Sequence, residues 1–275
     1  MEELGVFLRT AQQQRDTMII CRLAPSFAVR VTDAQLDAAF TYALPLVQQR
    51  TWQVYRSRGG MAELRCRLAY RDGVRMLDRT LAVPSSARLI AEEAMRLFPD
   101  GRSRFCWLHA IVSHAVSYEN TAPGRCGYDH LVRASCVLET GRANCQGFAD
   151  LLYLLSGLAG IQTDFQCGRR GKGLHLWNLV HLDGEWYASD ASRGSRALRD
   201  SGIPEMTGYC LMTEPQCRRI EYHWEAWAAS QTICKETVAS LPQCIQEISA
   251  SACEFLDNFV RNSENPPFTF ADVMI

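Results

Sequence analysis

The sequence predicts an α+β protein in which a largely buried helix packs against an antiparallel sheet. Apolar residues recur at helical spacing through 145–158, which indicates a helix with a wide buried face. Two apolar segments, 174–182 and 185–190, flank Asp183-Gly184, a pair typical of a two-residue hairpin turn. Further alternating segments in the first third of the chain add strands to this architecture.

Length and composition are those of a globular protein. The 275 residues can bury a substantial core in one or two domains. The net charge of −1 gives no basis for binding nucleic acid or an anionic membrane. No apolar run is long enough to cross a bilayer, and the first residues lack the pattern of a secretory signal. We therefore expect a cytoplasmic protein.

The chain has twelve cysteines at irregular spacing. None of them forms a Cys-x-x-Cys pair, so the sequence gives little support for a zinc site, and we expect no metal. A chain of this length with an apolar core does not need a disulfide framework. We expect reduced thiols rather than disulfides.

Residues 1–83 are expected to form a small N-terminal α/β layer. Alternating residues predict strands at 17–23, 27–31, 52–58, 62–70 and 74–81. Asp33 is expected to cap a helix that runs to about Gln49, with a kink at Pro45. The basic residues of the last two strands are assigned to a solvated sheet face rather than to a phosphate or RNA site, and they are Arg65, Arg67, Arg71 and Arg75.

Residues 84–215 are expected to form the core and residues 216–275 a helical region with a tail. Ser85-Ser86 and Ser103 are expected to cap two helices before a loop at 119–128, and loops of this kind often line active sites. Helices are expected through 216–262. Their inward residues are assigned to core packing, with partner binding as the alternative, and they are Trp224, Trp227, Ile233, Val238, Ile245, Ile248, Phe255 and Phe259.

Cys145 is expected in the first turn of the central helix. Asn144 is a good N-cap residue, and Gly160 is a plausible end of the helix. The N–H groups and the positive dipole end of a helix favour a thiolate over a thiol at this position. Gly147 and Ala149 leave room for another backbone or a substrate to approach.

The strand register that the hairpin turn sets brings a histidine and an aspartate together. Closing the turn at Asp183-Gly184 puts His181 opposite Trp186. Continuing the same register puts residue 177 opposite Asp190, and because side chains alternate, His175 and Asp190 share one face as diagonal neighbours. A carboxylate can reach an imidazole across that gap, so we expect a carboxylate-oriented base beside Cys145.

Three motifs in this order resemble the transglutaminase-like superfamily of thiol enzymes. They are Cys145-x-Gly147-x-Ala149 opening a helix, His175-x-Trp177-Asn178 on a strand, and Asp183-Gly184-x-Trp186-Tyr187-x-x-Asp190 on the next strand. The resemblance covers roughly 84–215, where 102–118 is similar to the helix before the catalytic helix and 207–213 to the strand after the hairpin. Ala191-Ser192 departs from the Pro-Thr or Thr-Trp of many bacterial members.

The resemblance implies a papain-related core with a nucleophile helix. It implies Cys145 as nucleophile, His175 as base and acid, and Asp190 as the residue that orients the imidazole. The implied reaction is attack on an amide carbonyl of a peptide or protein through a thioester, without a cofactor. Hydrolysis is slightly favoured because no second-substrate signature is visible. Transamidation, a catalytically silent binding module and an assembly protein are the alternatives, and the oligomeric state is not indicated.

Five groups are candidates for the oxyanion site and the pocket. The backbone N–H of Cys145 at the free helix end is the first oxyanion candidate, and Gln146 is the second. Tyr118 ends the preceding helix, where an oxyanion donor, a pocket wall and simple packing are all open. Trp177 and Asn178 are pocket candidates because they follow the histidine on its strand.

Overall fold

A computed structural model describes residues 2–24, 31–56, 62–121, 127–224, 231–236 and 244–262. The helices in these ranges are α1 (Glu2–Gln13), α2 (Asp33–Ala43), α3 (Asp72–Leu77), α4 (Ser85–Leu97), α5 (Gly101–Ala115), α6 (Ala134–Thr140), α7 (Cys145–Leu158), α8 (Ala191–Ser201), α9 (Ile203–Thr207), α10 (Glu214–Arg219) and α11 (Ile245–Asn262). The strands are β1 (Met18–Leu23), β2 (Val47–Arg56), β3 (Ala62–Tyr70), β4 (Ser117–Tyr118), β5 (Arg142–Ala143), β6 (Thr163–Arg170), β7 (Gly173–Leu182), β8 (Glu185–Ser189) and β9 (Tyr222–His223). The predicted α+β class is confirmed.

The N-terminal layer is a three-stranded antiparallel sheet in the order β1-β3-β2. Alternate residues of β3 are buried, as period-two alternation predicts. Leu8 of α1 and Phe40 of α2 are buried in the same cluster as Leu64 of β3. Ala149 of α7 and Phe165 of β6 belong to this cluster too, so the layer packs directly on the central helix and sheet.

The expected strand at 74–81 is wrong, because residues 72–77 form helix α3. The Gly73 N–H donates to Asp150 Oδ2 at 3.0 Å, and Asp72 accepts from the backbone and hydroxyl of Ser135. These partners lie far away in sequence and fix the first turn of α3. The alternation of apolar and polar residues after Val74 therefore does not produce a strand.

The helix expected at 33–49 is shorter than predicted. It ends at Ala43, and β2 begins at Val47 and runs to Arg56, where a strand at 52–58 was expected. A residue before proline is biased away from helical geometry, and Leu44 before Pro45 has φ −119° and ψ 55°. The proline thus ends the helix instead of kinking it. Most of the strand expected at 27–31 lies outside the described residues.

The central helix α7 lies in the main core against an antiparallel sheet in the order β8-β7-β6-β9. The predicted hairpin is confirmed, with His181 opposite Trp186. Its two turn residues, Asp183 and Gly184, have φ values of 54° and 86°. Positive φ at both positions is what a tight hairpin turn of this type requires.

The strand expected at 207–213 is replaced by the end of α9 and an irregular segment. Met212 exchanges two backbone hydrogen bonds with Ala188 of β8, at 2.7 and 2.8 Å. Leu211 has φ 49°, which interrupts an extended run before pairing can spread. The segment therefore lies beside β8, as the motif implies, with a single bridge.

The C-terminal region is only partly helical. The helical prediction holds for α10 and α11, but Tyr222–His223 forms strand β9 against β6. Ile233 and Ile248 are buried, which fits the predicted core role, while Trp227 and Val238 lie outside the described residues. None of the described helices combines the length and hydropathy that a membrane span needs.

Candidate active site

Cys145 is the first residue of α7 and is partly exposed. The Asn144 side chain caps the helix, and its Oδ1 accepts from the N–H groups of Gln146 at 2.9 Å and Gly147 at 3.3 Å. The Phe148 N–H donates to the Asn144 carbonyl. The Cys145 N–H has no such acceptor in the part of the chain that the structure describes, so it is the free amide beside the sulfur.

Gly147 is required by a close backbone approach. A Cβ at this position would collide with the carbonyl oxygen of Leu131. The same carbonyl accepts from the Asn144 N–H at 3.1 Å. The segment before α6 therefore fixes both the cap and the first turn, and the room left by Gly147 is used by backbone.

His175 and Asp190 face each other as the register predicts. His175 Nε2 lies 2.6 Å from Asp190 Oδ2. Asp190 follows the last residue of β8 and caps α8, where its Oδ1 accepts from the Arg193 N–H at 3.0 Å. Because Nε2 is bound to the carboxylate, the other ring nitrogen is free of that contact. Cys145 lines the same cleft as His175 and helps to raise the pKa of the imidazole.

Four donors surround the buried Asp190 carboxylate. Oδ2 accepts from His175 and from the Tyr222 hydroxyl, and Oδ1 accepts from Ser192 Oγ at 2.6 Å and from the Arg193 N–H. A buried carboxylate is costly unless its oxygens are hydrogen-bonded. Full hydrogen bonding holds Asp190 ionised and fixed in orientation.

The pKa values of the pair move in opposite directions. Burial alone would lower the pKa of His175, but the charge and hydrogen bond of Asp190, with Cys145, raise it to about 10. Burial alone would raise the pKa of Asp190, but the charge of His175 and the surrounding hydrogen bonds hold it well below its usual range. The geometry thus favours an imidazolium at neutral pH.

Aromatic rings surround the imidazole. Trp177 stacks on His175 with ring centroids 6.0 Å apart. Tyr222 meets the imidazole edge-on, with ring centroids 5.9 Å apart. Trp177 is fully buried, so this pocket candidate packs beneath the histidine and does not line a cleft. Tyr222 was missed by the sequence reasoning, because its strand has two residues and reaches the site only through pairing with β6.

Arg71 is a second residue that sequence reasoning misplaced. It was expected on a solvated sheet face, but it is buried and its Nε donates to the Pro45 carbonyl at 2.6 Å. Its Nη1 lies 3.4 Å from Gln146 Oε1, and the guanidinium lies over the Phe165 ring. Burial lowers the pKa of Arg71, while the charges of Asp150 and of nearby thiols oppose that change.

The remaining pocket candidates divide between cleft and core. The Gln146 backbone N–H is occupied by the cap, and its side chain lines a cleft with Cys145. Asn178 is buried and donates to the Ala149 carbonyl at 3.0 Å, so it ties β7 to α7. Tyr118 is half exposed, stacks on Phe148 and lines a cleft beside the histidine.

Two clefts meet at His175. The thiol cleft, of about 480 Å³, is lined by Arg71, Cys145 and Gln146 among others. The second cleft, of about 540 Å³, is called the arginine cleft because Arg170 of β6 and three arginines of α8 line it, namely Arg193, Arg196 and Arg199. Leu174 and His175 contribute to both, so the two clefts adjoin each other at the imidazole.

Elsewhere among the described residues, the thiols and acids form no comparable site. All eleven described cysteines are free thiols. Burial raises the pKa of Cys66, Cys167 and Cys217 to about 12 each, so these thiols are held in the protonated form. In the described ranges no group of three His, Cys, Asp or Glu residues has the arrangement of a metal site.

Comparison with curated proteins finds relatives that match this chain over a short stretch. Human kyphoscoliosis peptidase is 34% identical over an alignment of 71 residues, and the match covers 22% of this chain and 11% of that protein. The mouse kyphoscoliosis peptidase is 32% identical over 71 residues, with the same coverage. The chain therefore spans about a tenth of the length of these relatives, at 11%. No protein-family profile matches the chain.

Solved structures with a similar arrangement include a TGase, at 16% identity and a TM-score of 0.34 over 51% of this chain and 43% of that one. The periplasmic domain of TgpA from Pseudomonas aeruginosa has 17% identity and a TM-score of 0.35 over 53% of this chain and 59% of that one. A protein of Cytophaga hutchinsonii, described as a candidate cysteine protease, has 12% identity and a TM-score of 0.31 over 54% of this chain and 66% of that one. These comparisons find similarity to transglutaminase-like proteins, the superfamily that the motifs resemble.

Proposed function

We propose that the chain is a thiol enzyme that hydrolyses amide bonds of a peptide or protein substrate. The observation that carries the proposal is the contact of His175 Nε2 with the buried Asp190 carboxylate at 2.6 Å, while the same ring interacts with the Cys145 thiol at a helix start. A nucleophile, a base and a group that orients the base are the parts that covalent amide chemistry requires.

In the first half of the reaction, the Cys145 thiolate attacks the substrate carbonyl carbon. The electrons of the carbonyl double bond move to its oxygen, which the free Cys145 N–H stabilises. When the oxyanion collapses, the carbon–nitrogen bond breaks and His175 donates its proton to the leaving amine. The product of this half is a thioester on Cys145 and a free amine.

In the second half, water takes the place of the amine. His175, now neutral, accepts a proton from water as the oxygen attacks the thioester carbonyl. The carbon–sulfur bond breaks, which releases a carboxylic acid and restores the thiolate and the imidazolium. Asp190 keeps its charge throughout and stabilises the imidazolium in each half.

Water is favoured over a lysine amine as acceptor on electrostatic grounds. Arg170, Arg193, Arg196 and Arg199 line the cleft on one side of His175, and one carboxylate, Asp200, lies among them. Like charges repel at short range, so a lysine ammonium is disfavoured along that approach. Transamidation is the second candidate, since an acceptor can also enter through the thiol cleft.

The reaction needs a thiolate, so we propose a reducing compartment, the cytoplasm, as its setting. The free state of all eleven described cysteines supports this proposal. The mechanism uses only side chains and backbone of the chain, and it assigns no step to a cofactor.

The proposal is tested by peptide profiling in water enriched in oxygen-18. The protein is incubated with a proteome-derived peptide library, and mass spectrometry records new carboxyl groups that carry the heavy oxygen. We expect labelled products with the native chain and with Cys244→Ala, which removes an exposed thiol, and none with Cys145→Ala. Turnover by Cys145→Ala at the native rate, or no turnover by the native chain, would contradict the proposal.

A further inference from the structure

The arginine cleft concentrates positive charge in a chain whose net charge is −1. Arg193, Arg196 and Arg199 follow each other at intervals of three on α8 and therefore share one side of that helix. Arg170, at the end of β6, faces the same cleft. The cleft is thus built from β6 and from α8, the helix that Asp190 caps.

One of these arginines forms an ion pair in the described part of the chain, and three do not. Arg196 Nε lies 3.4 Å from Asp200 Oδ2. Arg170, Arg193 and Arg199 form no ion pair with any carboxylate in the described segments of the chain. The charge of Asp200 also acts on Arg199, so four guanidinium groups share one carboxylate around this cavity. Like charges repel each other, and an anion in the cavity relieves that repulsion.

The guanidinium groups also carry unused hydrogen-bond donors. The Nε atoms of Arg170 and Arg193 are buried and have no acceptor within the described ranges. Arg170 lies over the Tyr222 ring at 5.7 Å and Arg193 over the Tyr209 ring at 6.0 Å, so aromatic faces hold both side chains in place. Fixed guanidinium forks match the planar geometry of a carboxylate.

We propose that the arginine cleft binds an acidic segment of the polypeptide substrate, with Asp or Glu side chains engaged by Arg170, Arg193 and Arg199. The inference rests on the proposed function, because it takes the ligand to be the chain that crosses His175. The arginine cleft has room for several side chains, at about 540 Å³, and it adjoins the imidazole directly. Acidic residues therefore flank the amide that this site selects.

The test compares two labelled twelve-residue peptides by fluorescence anisotropy with the full chain carrying Cys145→Ala. The first peptide alternates Glu and Ala around a central Gln, and the second has Gln in place of every Glu. Three additional charge pairs at the cleft should give about tenfold tighter binding of the acidic peptide. Raising the salt concentration should remove most of that difference.

A matched pair of triple variants assigns the effect to the cleft. Arg170→Gln with Arg193→Gln and Arg199→Gln should weaken binding of the acidic peptide about tenfold and leave the neutral peptide unchanged. A control with the same charge change at three exposed arginines outside the cleft should bind nearly as the parent does, and it carries Arg22→Gln, Arg75→Gln and Arg88→Gln. Lysine at the three cleft positions should restore part of the affinity.

Equal binding of the two peptides, or equal loss in both triple variants, would overturn the inference. Thermal melting of each variant shows whether it is folded, and the lysine variant tests the charge if the glutamine variant melts early. Alkylation of Cys145 by iodoacetamide, measured in the same arginine variants with Cys145 intact, separates this inference from the proposed function. Selective alkylation of Cys145 without preference for the acidic peptide supports the enzyme proposal and overturns the inference about the arginine cleft. Preference for the acidic peptide without selective alkylation supports the arginine cleft as a binding site and contradicts the enzyme proposal.

Discussion

The Asp190 carboxylate joins donors that the sequence separates widely. His175 was placed beside Asp190 by hairpin parity, and Ser192 lies only two residues from Asp190 in the chain. Tyr222 comes from a two-residue strand after an irregular segment, and it acts through pairing with β6. Hairpin parity predicted the contact with His175, the contact with Ser192 was not predicted, and the contact with Tyr222 exists only once the sheet has assembled.

Removing the Tyr222 hydroxyl should loosen the carboxylate. Tyr222→Phe leaves one buried oxygen of Asp190 with a donor fewer, so the free energy of unfolding should fall by about 1–3 kcal/mol. The acylation rate should fall as well, because Asp190 then orients His175 less firmly. Denaturant unfolding and single-turnover kinetics measure both effects, and Tyr209→Phe, whose hydroxyl forms no hydrogen bond to a described residue, is the control. A Tyr222→Phe variant with native stability and rate would contradict this role.

Replacing Asp190 should change the pH dependence of acylation in a defined direction. His175 must carry a proton to release the amine, and Asp190 raises its pKa to about 10. The native rate should therefore persist into alkaline pH and fall as His175 deprotonates. In Asp190→Asn the negative charge is lost, so the pKa of His175 falls toward about 6.5 and the alkaline limb moves to lower pH.

The pH profile of single-turnover acylation measures this shift, and the melting temperature verifies the fold. The rate of Asp190→Asn at its optimum should be lower than native but not zero, since the thiol remains. An unchanged alkaline limb would mean that Asp190 does not set the charge of His175.

At the scale of elements, local turn and cap chemistry was predictable. Asn144 caps α7, and the hairpin closes at Asp183-Gly184 in the expected register. Errors arose where long-range contacts or single residues override periodicity. Residues 72–77 are drawn into a helix by partners on α6 and α7, and Leu211 interrupts the segment beside β8. Period-two alternation does not carry that information.

The cap of the nucleophile helix gives a prediction at this scale. Asn144→Ala should cost about 1 kcal/mol of stability, and it should also slow alkylation of Cys145, because the first turn loses its fixed geometry. Asp100→Ala removes the matching cap of α5, where Oδ1 accepts from the Ser103 N–H at 2.8 Å. It should cost a similar free energy without slowing alkylation.

Denaturant unfolding and the rate of iodoacetamide labelling measure the two effects of each cap. Equal labelling rates in Asn144→Ala and Asp100→Ala would show that the cap of α7 is purely structural.

In the whole molecule, the N-terminal layer contributes to the candidate active site. Arg71, next to the end of β3, bonds Pro45 before β2 and reaches Gln146 beside the nucleophile. Phe165 of β6 lies under its guanidinium. The sequence predicted a separate small layer and placed this arginine in water, because neither charge nor spacing shows how two layers pack.

Arg71→Met should therefore act on both stability and the thiol. The Pro45 carbonyl loses its buried donor, so the free energy of unfolding should fall by about 1–3 kcal/mol, and alkylation of Cys145 should slow because a nearby positive charge is gone. Arg67→Met, at an exposed position of β3, is the matched control and should change neither quantity. Native behaviour of Arg71→Met would contradict the link between the layer and the thiol.

The central claim is that Cys145, activated by His175 and Asp190, is the nucleophile, and its most direct test is thiol selectivity. The folded chain is treated with iodoacetamide at about pH 6, and peptide mass spectrometry follows each cysteine with time. Cys145 should be labelled first, ahead of the more exposed Cys244, and His175→Ala should slow its labelling. Faster labelling of Cys244 or another cysteine, or labelling of Cys145 that is independent of His175, would contradict the account.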